Sequence, residues 1–561
     1  MPTDEITRRD FIRKTTAIAA NAVVVAQAAT SLAQEGAKPA PAAAPAQGDP
    51  NRPNILFLFS DQHNAKCLSI AGHPDVKTPN LDQLAREGVR FTHAFCQNPI
   101  CTPSRTSYMS GLYCHNHGHY GNNGPEPHML LSLFSHAKAH GYRTGAFGKI
   151  HTPDNWIEPH LDAEADMMKK GGGGYKDYLD KLGLGDQRDD GSYPEAKGRP
   201  NQPLDARPAR LPFEHIVDRY YTDRLIEFLR SNPAGQPFCA WLTVPHPHET
   251  YVPAKEFWDM YDENKITLPP NANDLLTDKS PQTQQRLAQR QPNWPGWIFE
   301  PKDWEHGRRR VLRGYYGCVS MMDACMGLVM KELKALGMDE NTIVIYAADH
   351  GDFAGEHGII EKAPGLAYDA ITRVPFIWRW PRRVPSGKTC EELVESVDFL
   401  PTVCALAGLP VPAQCDGYDI TELLKGENAP VREAAFTENP WGKCIRKKDW
   451  KLVHYPRQMY PDMKEEVGEL YDMVNDPWEM KNLFRDPAQQ ERIAQLRREL
   501  MDWLITTAHV VDMNPPAAAF DPRNTAKVRA NAPQTDGLAE DGHQPWRALQ
   551  RAAERKGRSY L

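Results

Sequence analysis

Outside one modest N-terminal stretch, the 561-residue chain has no continuous apolar run approaching membrane-spanning length. That stretch, residues 17–29, is too short and too rich in small residues for a stable span. There is no surplus of basic charge either. Sixty-six Lys and Arg stand against 73 Asp and Glu, a net charge of −7, so no global field points to nucleic acid. No internal repeat and no heptad pattern is present, which excludes a solenoid or a coiled coil. The 11 cysteines fall in no C-x-x-C zinc pattern, and most read as small buried hydrophobes. What remains is an ordinary globular composition, 40% hydrophobic and 25% charged. The length suits one large domain and a smaller one.

The N-terminus reads as an address rather than as fold. "TRRDFIRK" carries Arg8, Arg9, Phe11 and Lys14, then the apolar stretch, then the small-x-small site Ser31-Leu32-Ala33. Residues 1–33 resemble a twin-arginine signal peptide. That implies the twin-arginine export machinery as a partner and a periplasmic or extracellular destination. Cargo of that route folds in the reducing cytoplasm, which weakens any expectation of disulfides. Residues 34–52 are a Pro/Ala-rich linker.

From residue 53 the pattern is α/β. Short apolar runs at 53–61, 141–151, 236–248, 341–352 and 372–381 read as buried strands. Helical segments at 129–140 and 308–337 lie between them. This alternation predicts a large, mostly parallel or mixed sheet between helices over residues 53–428. Residues 429–505 change character, with short antiparallel strands and a helix near 486–505, an α+β subdomain. Residues 506–561 form a polar, Pro/Ala-rich C-terminal tail.

Four predicted strands end in chemically loaded residues: Asp61-Gln62, Lys149 with His151, His246, and Asp349-His350. Open α/β sheets bind ligands at the carboxyl ends of their strands, so four such clusters at one edge predict a site. Oxygens from Asp61, Gln62 and Asp349, with the imidazole of His350, suffice for one divalent cation. No second His/Asp cluster of a two-metal centre is apparent. In "NPICTPSRTSYMSG" (98–111), Thr102-Pro103 reads as N-cap and first residue of a helix. That sets Cys101 beside a positive dipole end, with Arg105 close by. Lys149, His246 and Lys362 add donors, and the whole suits a tetrahedral oxyanion.

C-T-P-S-R at 101–105 matches the C-x-P-x-R signature of sulfatases, in the alkaline phosphatase superfamily. "NILFLFSDQ" before it and "GAFGKIH", "ADHGDFAGEHG" and "EKAPGLAYDAITRVPFIW" after it stand in the family's order. The resemblance implies an alkaline phosphatase-like fold and hydrolysis of organic or carbohydrate sulfates. It implies that Cys101 is oxidised by a formylglycine-generating enzyme to Cα-formylglycine, whose hydrate attacks sulfur. Its second hydroxyl then loses a proton so that the aldehyde reforms and sulfate leaves. It implies Asp61, Gln62, Asp349 and His350 as ligands of one cation, Ca2+ or Mn2+, joined by residue 101 itself. Arg105 and Lys149 would steady the residue-101 oxygens, His151 would take the second proton, and His246 with Lys362 would protonate the leaving alcohol. His248 and His357 are read as scaffold or rim residues.

Two positions depart from the family. Gln62 stands where many members carry a second Asp, and His350 where many carry Asn. Related phosphonate monoester and phosphodiester hydrolases share the Asp-His pair, so they are the nearest rival reading. A non-catalytic protein that binds sulfated glycans is the rival from another class. Two insertions, 152–212 and 250–307, hold Gly171–Gly174, read as a flexible gate, and Trp294, Trp297 and Trp304 near Arg308, Arg309 and Arg310. The latter group reads first as pins for an irregular loop and second as a carbohydrate-stacking surface.

Overall fold

Residues 54–61, Asn-Ile-Leu-Phe-Leu-Phe-Ser-Asp, have side chains too apolar for either face of a strand to meet water. In the computed structural model they form β1 (Asn54–Asp61), at the centre of an eight-stranded sheet. The structure describes residues 49, 52–123, 130–188, 204–290, 299, 301–427 and 430–509. The export signal, most of the linker, Trp294, Trp297 and the tail beyond 509 lie outside them.

The other strands of the main sheet are β2 (Val89–Phe95), β3 (Arg143–Gly148), β4 (Ala163–Asp166), β5 (Phe238–Pro247), β6 (Thr342–Ala348), β7 (Phe376–Arg379) and β8 (Lys388–Glu395). Their order is β4-β3-β5-β1-β6-β7-β2-β8. β7 runs antiparallel to both its neighbours, and the remaining pairings are parallel. The expected mixed sheet is therefore present. β2, β4 and β8 are additions to the five strands visible in the sequence.

Helices cover both faces. They are α1 (Pro79–Arg86), α2 (Cys101–Ser110), α3 (Leu133–Ala139), α4 (Val217–Arg230), α5 (Trp304–Ala335) and α6 (Phe399–Ala407). Alternation along β1 separates two cores. Leu56 and Leu58 pack with α1, α4 and α5 through Leu84, Leu225 and Val319. Ile55, Phe57 and Phe59 pack with α2, α3 and α6 through Met109, Phe134 and Val403. Among the described residues, no helix is long and apolar enough to cross a membrane.

A second, four-stranded antiparallel sheet follows: β9 (Ala435–Glu438), β10 (Lys443–Arg446), β11 (Trp450–His454) and β12 (Gly468–Asp472), in the order β12-β11-β10-β9. Helix α7 (Gln490–Thr507) lays Leu496, Leu500 and Trp503 on it, with Trp503 stacked on Phe436 at 4.3 Å. This is the small α+β unit expected near the C-terminus.

A buried ionic knot ties this sheet to the short helix Asp369–Thr372 before β7. Asp369 accepts from Arg446 Nη2 at 3.1 Å and from Lys451 Nζ at 2.9 Å, and Lys451 also reaches Glu479. Burial opposes ionisation of Asp369, but Arg446 and Lys451 outweigh it and hold the carboxyl well below the usual range. A group with a depressed folded pKa stabilises fully above its unfolded value, about 4. That contribution is lost as pH falls from there toward the folded value. Asp369→Asn is therefore expected to cost about 1.5–3 kcal/mol at neutral pH. The gap to the parent should narrow below about pH 4, read from urea midpoints at both pH values. A gap independent of pH would rule out this ionic origin.

Among the described residues of the insertions, several contacts pin the chain. Gly171–Gly174 all have positive φ, conformations that glycine alone adopts without strain. Tyr221 and Tyr220 donate to the carbonyls of Gly172 and Gly173 at 2.8 and 3.2 Å. These bonds tie the glycine run, as a turn, to α4. Trp304 opens α5 instead of lying in a loop. Arg308 donates to Ala272 O at 2.7 Å and Arg310 to Ala206 O at 2.9 Å, while Arg309 pairs with Glu305. These arginines clamp backbone, in keeping with the pinning reading.

Candidate active site

β3, β5, β1 and β6 are adjacent and parallel, so their carboxyl ends share one edge. Residues predicted from four separate stretches arrive there. Asp61 ends β1, and Asp349 follows the last residue of β6. Gly148 ends β3 at φ 116°, where a Cβ would meet Thr243 O at 2.0 Å. Only glycine lets the chain pass so close. Lys149 N then bonds Thr243 O at 2.7 Å, and its side chain turns into the site.

Cys101 is the first residue of α2, with Ile100 at the N-cap. Thr102 was expected to be the cap. Its hydroxyl instead donates to His151 O at 3.1 Å, and its N–H donates to Asn122 Oδ1 at 3.1 Å. Proline is tolerated anywhere in a first turn, because those N–H groups have no helical partner. Pro103 therefore could not fix the register. The correction still leaves Cys101 at the positive end of the helix.

Arg105, one turn on, is fully buried. Nε donates to Asp349 Oδ2 at 2.9 Å, Nη2 to Asp61 Oδ2 at 2.8 Å, and Nη1 to Thr243 Oγ1 at 2.8 Å. Lys149 Nζ adds a 2.8 Å ion pair to Asp61 Oδ2 and lies 3.8 Å from Cys101 Sγ. One oxygen of each carboxylate is thereby fixed by cations. Burial raises the Asp61 carboxyl, but Lys149, His248 and Arg105 win, and it lies below its ordinary range. Asp349 is pushed up, by burial first and then by Asp61.

The remaining oxygens face one point. Ligand atoms of Asp61, Cys101, Asp349 and His350 lie within 4.8 Å of one another. His350 Nδ1 bonds Gly351 O at 2.9 Å, which turns Nε2 toward the same point. Burial works against charge on that imidazole, but Asp349 raises its pKa to about 9. Two carboxylates, one imidazole and residue 101 make a donor set that fits one divalent ion. Gln62 is differently engaged. Its Oε1 accepts from Lys362 Nζ at 2.8 Å, and its Nε2 donates to Asp352 at 2.7 Å and Glu249 at 3.0 Å. Its amide links the ligand cluster to the next shell.

Lys362 reaches the site from the loop before β7, bonding His248 Nε2 at 2.8 Å as well as Gln62. Burial opposes its charge, but Glu249, the Cys101 thiolate and Asp61 raise its pKa. The Cys101 thiol itself is pulled down against burial, by Lys149 and by hydrogen bonds from His151, His248 and His350. The structure thus gathers Asp61, Cys101, Arg105, Lys149, His151, Asp349, His350 and Lys362.

His248, read from the sequence as scaffold or rim, has described contacts within the site, and His246 is described against Asp218. The described contacts of His246 run to Asp218 on α4, with Nδ1 2.5 Å from Oδ2. Those of His248 run to Lys362, Glu249 and the Cys101 sulfur. The reason is a slip in pairing: Ser60 pairs with Val244, but Asp61 pairs with Pro247. Such an irregularity re-aims side chains at the strand end. Sequence reasoning also missed Asp352, which is buried, and Glu249, whose side chain is 5% exposed, two carboxylates around the Gln62 amide, since neither stands in a recognisable spacing. His357 pairs with Asp274 at 2.8 Å, as scaffold.

A profile described as "Sulfatase" matches residues 53–409, and one described as "N-sulphoglucosamine sulphohydrolase, C-terminal" matches residues 355–505. The chain belongs to the sulfatase family. An ulvan-active sulfatase of Formosa agariphila is 27% identical over 87% of this chain and 90% of its own. An N-acetylglucosamine-6-O-sulfatase of Bacteroides thetaiotaomicron is 27% identical over 84% and 89%. Among solved structures, a phosphonate monoester hydrolase from Silicibacter pomeroyi superposes with a TM-score of 0.70 at 25% identity, over 82% and 96%. The sulfatase is thus a sulfuric ester hydrolase of the alkaline phosphatase superfamily, built on the fold expected of it.

Proposed function

We propose that this sulfatase is exported through the twin-arginine route to the periplasm or beyond. There it hydrolyses organic or carbohydrate sulfate esters with a formylglycine made from Cys101. The observation that carries the reading is the position of Cys101 Sγ, 3.4 Å from His350 Nε2 and 3.7 Å from Asp61 Oδ1 at a helix N-terminus. An oxygen built there meets the cation ligands and two permanent positive charges at once.

A divalent ion held by Asp61, Asp349, His350 and residue 101 would supply Lewis acidity toward the nucleophile and the sulfate oxygens. Arg105 and Lys149 keep the two carboxylates turned to that point. His151 is positioned to take a proton from residue 101. Lys362 holds a sulfate oxygen and shares its proton with His248 Nε2. His248 then protonates the leaving alcohol, the part expected of His246 from sequence. The tryptic peptide carrying Cys101 is expected to have the mass of an aldehyde rather than a thiol in active enzyme.

His248→Ala is expected to slow alkyl or sugar sulfates by about 10²–10⁴. Nitrophenyl sulfate, whose leaving group needs little protonation, should lose far less. His246→Ala should depress both substrates alike. The reverse pattern would return the acid's role to His246.

One observation favours a second reading. The Asp349-His350 pair resembles that of phosphonate monoester hydrolases, and one such enzyme superposes well on this fold. Turnover of nitrophenyl sulfate is expected to exceed that of the matching phosphonate and phosphodiester. Higher kcat/KM on the phosphorus esters would reverse the order.

A further inference from the structure

Cys101 does more than await conversion: as a thiol it completes a ligand set of a different chemical character. Sγ lies 3.4 Å from His350 Nε2 and 3.7 Å from Asp61 Oδ1. His350 Nε2 lies 3.9 Å from Asp61 Oδ1 and 3.8 Å from Asp349 Oδ1. Zinc bonds of about 2.0–2.3 Å at tetrahedral angles separate ligand atoms by roughly 3.3–3.6 Å. Sγ, Nε2 and Asp61 Oδ1 are thus within about half an ångström of the edges of a zinc tetrahedron, and Asp349 Oδ1, which accepts from the N–H groups of Gln62 and His350 at 3.0 and 2.9 Å, offers the fourth ligand within 4.8 Å of the others.

The surroundings complete the case. His350 is held by the Gly351 carbonyl with Nε2 inward, and the outer oxygens of Asp61 and Asp349 are held by Arg105 and Lys149. Such outer partners orient ligands and sharpen affinity. All four ligands are buried, and among the described residues they are the one group of three or more His, Cys, Asp or Glu so arranged. Calcium prefers six to eight oxygens, whereas this set offers soft sulfur and imidazole.

We propose that the chain in which Cys101 is still a thiol binds one zinc ion through Cys101, His350, Asp61 and Asp349. The thiol proton, and any proton on His350 Nε2, pass to solvent as the ion enters.

The test uses the full chain with Cys101 verified as a thiol by peptide mass. Zinc titrated against a chromophoric chelator is expected to show one equivalent per chain. Cadmium or cobalt is expected to give a thiolate-to-metal charge-transfer band. Cys101→Ala should abolish the band and weaken zinc by at least the ~100-fold that losing even an outer-shell partner can cost. Thermal melting checks that this variant is folded. No band in the parent would overturn the proposal. So would a band or an unchanged zinc affinity in Cys101→Ala, which would assign the metal to other residues. Because none of these readouts requires catalysis, failure here leaves the formylglycine reading standing, and an unconverted active enzyme would sink that reading alone.

Discussion

Cys101→Ala is expected to lower kcat toward any sulfate ester by on the order of 10⁶, the scale seen when a covalent nucleophile is removed. The side chain is 1% exposed at the first turn of α2, and alanine removes one sulfur without touching Arg105 or the carboxylates. The fold and the melting temperature should therefore change little, while the reacting atom is gone. Cys101→Ser separates the two halves of the proposed chemistry. Its single hydroxyl can attack sulfur, but it has no second hydroxyl through which to expel sulfate. It should release about one equivalent of alcohol per site and then stall, as a covalent intermediate that accumulates does. Steady turnover by either variant within about tenfold of the parent would show that position 101 is not the nucleophile.

The architecture was legible in the sequence where burial dictates composition. "NILFLFS" and "TIVIYAA" must be central, because both of their faces are apolar. β4 and β8 were not legible, because Ala-Glu-Ala-Asp and Lys-Thr-Cys-Glu-Glu-Leu-Val-Glu carry the charges that strands at or near the sheet edge tolerate. The site followed the same rule. Asp61, Lys149 and Asp349 stand at or just past the ends of readable strands, so their meeting follows from parallel pairing alone. His248 was hidden by a two-residue slip between β1 and β5 that no local pattern announces. Glu249 and Asp352 were hidden because their role is to receive the Gln62 amide, which only the folded chain brings to them.

Gln62 also sets the charge at the cation end of the pocket. In the family pattern a second aspartate stands here, and its charge would add to those of Asp61 and Asp349. The neutral amide removes that charge and instead joins Lys362 to Asp352 and Glu249. The cation end of the pocket thus becomes less anionic, while Lys362 is drawn toward Glu249 at 3.7 Å. Such a site repels a monoanionic ester less than the three-carboxylate pattern does, and sulfate monoesters, phosphonate monoesters and phosphodiesters share that single charge, so the change admits all three alike.

Arg105→Ala is expected to destabilise the protein by about 3–5 kcal/mol, because it strands two buried carboxylates that it now bridges. Asp61 and Asp349 have no exposed surface, and Arg105 meets both with charge-assisted bonds of 2.8 and 2.9 Å. Burial alone disfavours the guanidinium charge, yet Asp349 and Asp61 raise its pKa, so the pairing and not the solvent keeps it there. Arg105→Lys should restore charge but not the fork that spans both carboxylates and Thr243, and so should recover only part of the loss. Added divalent cation should raise the melting temperature of Arg105→Ala more than that of the parent, since it offsets the stranded charges. Activity should fall by about 10²–10³ in the variants that remain folded, the cost of removing one preorganised electrostatic partner. An Arg105→Ala protein within about 1 kcal/mol of the parent, the range of ordinary point changes, would mean that the two carboxylates are protonated or solvated rather than bridged.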